Sequence, residues 1–525
     1  MKQYSIILAG GVFCGLLFIN KDSLAVNRKA VSAEDFFTTS SQCLACHNQL
    51  NDSNGNDVSV GLHWRSAMMS HSAVDPYWQA SVRKEVQEHP AAAKEIEDTC
   101  SSCHMPMARF IEQHQGAQGS VFANLQNGNV RFDTPKAASA ADGVSCTVCH
   151  QIDAVNLGKK ESFNAGFKID SHTPRPNRSI FGPFQVSEGS AHIMKSVSGF
   201  TPVKATHLQS SAHCGSCHTL YTHALDKNGK PVAELAEQMP YIEWLYSDYK
   251  DIQSCQDCHM QKIDGEAPIS SVLGKPRTEW KKHSFTGGNF FMLNLISRNS
   301  AELGLKAQTA ELNRARDASK ALLTDASAEI VVDQTCVNWE NDVLSFPVVV
   351  TNLAGHKLPT AYPSRRVWIR VVVTDENNRV IFESGSLNQN GSIAGNDNDL
   401  DNLRYEPHYT EISSEQQVQI FESIMGTPTR QVTTNLLSAA SYLKDNRIPP
   451  FGFDKRSVSK DVAVWGAALE DNDFGDGRDH VIYKVPIGEA KGTITILAEL
   501  WYQPIGYRWA ENLASVSGEE PRRFL

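Results

Sequence analysis

Residues 146 to 150 read Cys-Thr-Val-Cys-His: two thiols three positions apart, followed at once by an imidazole. The pattern recurs four times, as Cys43-Leu-Ala-Cys46-His47, Cys100-Ser-Ser-Cys103-His104, Cys214-Gly-Ser-Cys217-His218 and Cys255-Gln-Asp-Cys258-His259. A disulfide framework does not require a histidine after every second cysteine. A thioredoxin-like site uses one such pair in a βαβ setting, and a zinc site pairs Cys-x-x-Cys with a second ligand pair without demanding the adjacent histidine. The signature that takes every residue is c-type haem attachment. Two thioethers hold the haem vinyl groups one backbone turn apart, and the next residue lies under the iron as proximal ligand. Five repeats predict five covalently attached haem c groups, on Cys43, Cys46, Cys100, Cys103, Cys146, Cys149, Cys214, Cys217, Cys255 and Cys258. His47, His104, His150, His218 and His259 are the proximal ligands of that reading.

The chain of 525 residues is long enough for two to four domains, and its 41% hydrophobic content supplies a packed core. A formal charge of −10 with no basic stripe excludes a nucleic-acid partner. Lys2, the apolar run Ile6 to Ile19 and Ser23-Leu24-Ala25 have the layout of a secretory leader spanning 1–25. No later segment is apolar enough to span a bilayer, so the expected location is the periplasm or cell surface. Of twelve cysteines, Cys14 falls in the leader and Cys336 lies far downstream, where a buried free thiol is expected.

The sixth position of each iron decides the class of function. A haem saturated by a second side chain carries electrons, and an open one binds substrate. Eighteen histidines less five proximal ones leave thirteen, and ten of these lie between His63 and His283. His71 is favoured, with His63 as the alternative eight residues earlier. His192 lies in a short helix. His207 has more chain than His213 with which to reach a neighbouring haem. His283 precedes Gly287 and Gly288, which permit close approach of backbone to a porphyrin. His356, in Gly355-His356-Lys357-Leu358-Pro359, projects from a loop between strands, and His408 is a weaker candidate of the same kind.

The expected fold class is α+β and multidomain. A haem-packed, mostly helical and looped region spans 26–300. A helix over 301–326 connects it to an antiparallel β-sandwich over 327–525, read from alternating stretches such as Val343–Val350 and Arg366–Thr374. Asp375–Asn378 reads as a hairpin turn, and residues 433–447 as an inserted helix. Residues 395–402 and 470–479 are acidic and glycine-rich. Ca²⁺ is conceivable there, but the spacing matches no EF-hand and a solvated turn is expected.

The stretches "DPYWQASVRKE", "CSSCHMPMAR", "DGVSCTVCHQI", "CGSCHTLYT", "PYIEWLYSDY", "HSFTGGN", "GHKLPTAYPSRRVWIRV" and "LKDNRIPPFGFDK" are in place around the motifs. With them the chain resembles the bacterial multihaem, here pentahaem, cytochromes c of the periplasm and cell surface. The resemblance covers most of the chain and implies a mainly bis-histidine electron carrier with an appended C-terminal β domain and redox proteins as partners. It leaves the oligomeric state open. The chain lacks the Cys-x-x-Cys-Lys motif that the catalytic haem of many ammonia-forming nitrite reductases carries. An oxidoreductase acting on a small nitrogen or sulfur species at one open haem, with Lys204, Tyr221 and His223 near it, is the second reading. A cytochrome filament is the third.

Overall fold

The structure is a computed structural model that describes residues 35–525, apart from 127–128, 279 and 489. The leader expected over 1–25, with Cys14, lies outside the described residues. The chain is α+β: helices and short ribbons fill the first part, and most strands follow residue 327.

Each attachment motif lies on a helical turn. The motif of Cys100 ends the helix Ala93–His104, after which Pro106 starts the helix Pro106–His114. The others lie on or beside short helices at Ser40–Leu44, Cys146–Cys149, Ser211–Gly215 and Cys255–His259. The N–H of His47, His150 and His218 donates to the carbonyl of the first cysteine of its motif, at 3.1, 3.0 and 2.9 Å. This i to i+4 bond stacks the two cysteines one turn apart and sets the histidine below them. Asp75 starts the helix Pro76–Glu88 by accepting from the N–H groups of Tyr77 and Trp78, with Pro76 in the first turn.

The helix expected over 301–326 begins later, at Thr309, and runs to Ala326. Gly304 adopts φ +64, a left-handed conformation that interrupts helix, and Gln308 and Glu311 form a capping box at the true start. Glu311 is ion-paired with Arg65, so this helix is fastened to the first part of the chain.

Beyond it, the strand Val343–Asn352 pairs with Arg478–Pro486 over its whole length, Val348 opposite Val481. Ala328–Val332 and Asn338–Glu340 share its other edge, and Glu411–Ile412 joins Arg478–Pro486 in parallel. In a second sheet, Arg366–Thr374 pairs with Thr495–Gln503, Val380–Ser384 and Ile420–Phe421. The strict alternation of burial along Val343–Asn352 puts Leu344, Phe346, Val348 and Val350 inward. They share one cluster with Val367, Ile369, Val371 and Val373 of the second sheet, and with Met239 and Tyr241 from before residue 300. Phe346 is fully buried and stacks on Tyr483. Phe346→Ala is expected to cost about 3–5 kcal/mol, read as a lower midpoint in denaturant at unchanged slope.

Two expectations are corrected. Residues 441–445 form a strand, Ser441–Asp445, paired with Ser423–Gly426, and only a single 3-10 turn, Leu436–Ser438, lies within 433–447. Tertiary contacts override the local helix propensity: Met425, Ala439 and Tyr442 pack with Leu235, and the N–H groups of Leu436 and Leu437 donate to Glu85. Cys336 is exposed, in the turn that precedes the edge strand Asn338–Glu340. The turn expected at 375–378 is present, with Asn378 at φ +59 and Asp375 accepting from the N–H groups of Asn377 and Arg379. No helix of the described residues is long and apolar enough to cross a membrane.

The acidic stretches are tied down. In 395–402, Asp399 forms a buried two-point pair with Arg366, and Asp397 pairs with Arg404. In 470–479, Asp471 and Asp479 meet His408, with ligand atoms within 4.8 Å of one another. Gln419 and Asn446 both direct amide N–H groups at His408 Nδ1, at 2.9 and 3.2 Å. Their amide orientations are fixed, because Gln419 Oε1 accepts from Tyr409 N–H and Asn446 Oδ1 from Glu422 N–H. The imidazole proton is therefore on Nε2 and is donated to Asp471 at 2.9 Å. A cation at Nε2 would have to displace that proton, so the network reads as a buried hydrogen-bonded pair. Asp479 is fully buried, which a solvated turn would not allow.

Candidate haem centres

All five motifs open onto one cavity of about 2400 Å³, against roughly 300–1,000 Å³ for an ordinary ligand pocket. All ten motif cysteines but one are partly buried, Cys258 being exposed, and none is in a disulfide. The motifs lie against one another. The thiols of Cys43 and Cys146, of Cys103 and Cys217, and of Cys214 and Cys255 lie close enough to act on each other's ionisation. Cys149 lies close enough to Cys214 and Cys217 to act on both electrostatically. The first motif thus neighbours the third, the third neighbours the fourth, and the second and fifth each adjoin the fourth. The motif histidines repeat three of these four neighbour relations, with His47 acting on His150, His218 on His104 and His259 on His218.

Four motif histidines have Nδ1 on a backbone carbonyl. The partners are Ile269 for His47, Ser72 for His104, Phe181 for His150 and Thr286 for His259, at 2.5, 3.0, 2.6 and 2.6 Å. A carbonyl there fixes the proton on Nδ1 and leaves Nε2 as the free donor of an electron pair, the arrangement typical of a metal-ligating histidine. Burial pushes His104 and His218 down to about 4, which keeps them in the neutral form that ligation needs. Trp78 stacks on His104, 4.3 Å between ring centres, and locks its rotation.

Two motif histidines face a second imidazole. His150 and His283 lie 6.2 Å apart between ring centres and 16° from parallel, and His259 and His356 lie 6.2 Å apart and 11° from parallel. A metal–imidazole bond of about 2 Å on each side, with the distance from each nitrogen to its ring centre added, leaves roughly 6 Å between the rings. Each pair has room for one iron between its two rings. The chain has a multihaem cytochrome fold. A solved structure to which it is similar is a penta-heme cytochrome c552 from Thermochromatium tepidum, with 14% identity, a TM-score of 0.51 and coverage of 92% of this chain and 95% of that one. No family model matches the chain, and no curated protein matches it. Haem and iron fit the donor set: paired thiols one turn apart, neutral imidazoles and an apolar cavity.

His356 reaches the shared cavity from the β region. Gly355 lies against Trp244 and Tyr249, with the position a Cβ would take only 3.3 Å from each, so a larger residue would push the loop away. His356 Nδ1 donates to the Lys357 carbonyl at 3.0 Å, leaving Nε2 toward His259. The next residue anchors the loop. Lys357 is wholly buried, with Nζ 2.8 Å from Asp445, while its N–H donates to Glu243 at 3.1 Å. Arg447 closes the network on Asp445 at 2.7 Å and Glu243 at 3.1 Å. Glu243 belongs to the helix Pro240–Leu245, so the network spans both parts of the chain.

The remaining candidates divide. His63, His213 and His223 line the cavity; His71, His192 and His207 do not. The helix Val60–Ser66 stops at Ala67, which is extended, and the kink turns His71 away from the face of His63, into a separate cavity of about 340 Å³. His192 is exposed on the helix Glu188–Ser198, whose Ile193, Met194 and Val197 face the cavity instead. His207 Nε2 bonds the Ile152 carbonyl at 2.8 Å. His63 Nε2, His71 Nε2 and His213 Nδ1 are buried without a partner, and burial pushes these three rings down to about 4, about 4 and about 3. His223 is about half exposed, 3.5 Å from Glu234. His213 carried a signal that reach alone concealed: it sits on the same helical turn as Cys214, which aims it into the space between motifs.

Proposed function

We propose that the protein is an extracytoplasmic electron carrier holding five covalent haem c groups, most or all ligated by two histidines. The single observation that carries this reading is the pair of facing imidazoles, His150 with His283 and His259 with His356, each 6.2 Å apart. Ten histidines line the cavity, five in motifs and five outside them, His63, His213, His223, His283 and His356. That number is enough to give every iron two imidazoles, which favours transfer over an open catalytic site. The haems supply one-electron chemistry, and bis-histidine ligation sets their potentials low compared with His/Met sites. The contacts between motifs make the fourth site a junction, and the first, second and fifth sites are the ends at which donor and acceptor proteins exchange electrons. The two sheets after residue 327 act as a β-sandwich that closes the cavity and contributes His356.

Mass spectrometry of the exported protein is expected to give five covalent haems and no residues 1–25. Its electron paramagnetic resonance spectrum is expected to be low-spin throughout. A lasting high-spin haem in the intact protein would favour the oxidoreductase reading instead.

A further inference from the structure

Around the second motif the cavity wall is acidic and phenolic. Glu85, on the helix Pro76–Glu88, and Glu237, on the strand Pro231–Gln238, both line it, 6% and 1% exposed. Tyr77 and Tyr362 line it beside them, their rings edge-to-face at 6.0 Å. Both carboxyls act electrostatically on the thiol of Cys100 and on the Tyr362 hydroxyl, which places them at the second attachment site. Glu237 uses one oxygen to accept from Gln238 at 3.1 Å, and its other oxygen, Oε2, is buried without a partner. The Tyr77 hydroxyl is likewise buried and unpartnered. Orphaned buried oxygens cost free energy unless something is held there. A carboxylic acid that carries its own proton avoids most of that cost.

We propose that Glu237 and Glu85 form a proton-binding site that takes up a proton when the haem at Cys100 and Cys103 is reduced and releases it on oxidation. This rests on the reading of the second motif as a haem site. The balance is one electron to the iron and one proton from water to a carboxylate oxygen, so the buried region gains no net charge. Placing an electron in a low-dielectric site without a compensating charge is unfavourable, and a nearby carboxylate deepens the penalty. Burial already pushes Glu85 up to about 8 and Glu237 up to about 7, so both sit where a small change in field alters their protonation near neutral pH.

The surrounding charges are sparse. On its own helix Glu85 has Lys84 and Glu88, and from the loop packed against it the N–H groups of Leu436 and Leu437. Glu237 meets Thr222 and Gln238, and acts on Tyr442 and on Cys103, where Arg109 also acts. No arginine or lysine is hydrogen-bonded to either carboxyl among the described residues, so neither acid is held ionised by a salt bridge.

The test is the midpoint potential of each haem in the full holoprotein, titrated from pH 5 to 9. One haem is expected to become harder to reduce as the pH rises, approaching about 59 mV per tenfold fall in proton concentration for one proton per electron. The dependence should be flat well below the window, where the acids stay protonated in both states, and well above it, where they stay ionised. Glu237→Gln, which keeps shape and removes the proton, is expected to abolish most of that slope. Glu85→Gln serves the same purpose if the first variant does not fold. Potentials independent of pH in the unmodified protein overturn the proposal. So does a slope that both variants leave intact, which assigns the proton to haem propionates. The haem count and low-spin spectrum test the carrier reading separately, so either can fail alone.

Discussion

Replacing His356 by alanine is expected to convert one low-spin haem to a high-spin one and to leave the others as they are. About one fifth of the low-spin signal should move, and the potential of that haem should change most, since the axial ligand sets it. The expectation follows from the 6.2 Å gap between His259 and His356, and from the lack of any other imidazole stacked on His259 among the described residues. His356→Met distinguishes ligation from packing: a thioether restores a low-spin state at higher potential, whereas a side chain that only fills space restores nothing. A variant that stays fully low-spin at unchanged potential would reduce His356 to a loop residue.

The second large effect falls on the network beneath that loop. Asp445→Ala strips the partner from Lys357 and Arg447, both buried, and is expected to cost about 3–5 kcal/mol. The loss should appear in denaturant unfolding, and part of the His259 site should turn high-spin as the His356 loop loosens. Acid offers the same test without mutation. Lys357 and Arg447 hold the Asp445 carboxyl below its usual range against the cost of burial. A depressed carboxyl contributes stability that is fully present above its unfolded value near 4 and is lost as the pH falls through the folded one. The fifth site should therefore be sensitive at strongly acidic pH and indifferent near neutrality. Uniform acid stability across all five sites would contradict this coupling.

The attachment motifs were legible because their chemistry is local: two thioethers and a ligand must fall within five residues, whatever the fold. The strands Val343–Asn352 and Arg366–Thr374 were legible because period-two burial is written into alternating side chains. The partners across the irons were not, because they are chosen by tertiary approach. Glycine and proline around His283 and His356 single them out as candidates, and the structure sets each ring opposite a motif histidine. Reach favours His207 over His213 in the sequence, but it does not register the Ile152 carbonyl on His207, and sequence spacing does not register the kink at Ala67 that separates His71 from His63. Residues 433–447 look helical by composition, and only the contacts of Tyr442 and the Glu85 acceptor make them extended. Glu237 is easy to pass over: a charge in "PVAELAEQ" suggests exposure, yet period two puts it on the face of Leu235, and its burial depends on a wall supplied by other elements.

The closure of the cavity by distant segments bears on how the protein is made. His259 awaits a ring at 356, and Arg83 is paired with Glu520, so the lid of the cavity is synthesised long after its floor. A growing chain folds from its N-terminal side, and during that interval the ten motif thiols remain reachable. The delay is a loading window. Once the late segments dock, nine of the ten motif thiols are partly buried, and one that missed its haem is harder for the attachment machinery to reach. A circularly permuted chain that presents the β region first should mature poorly.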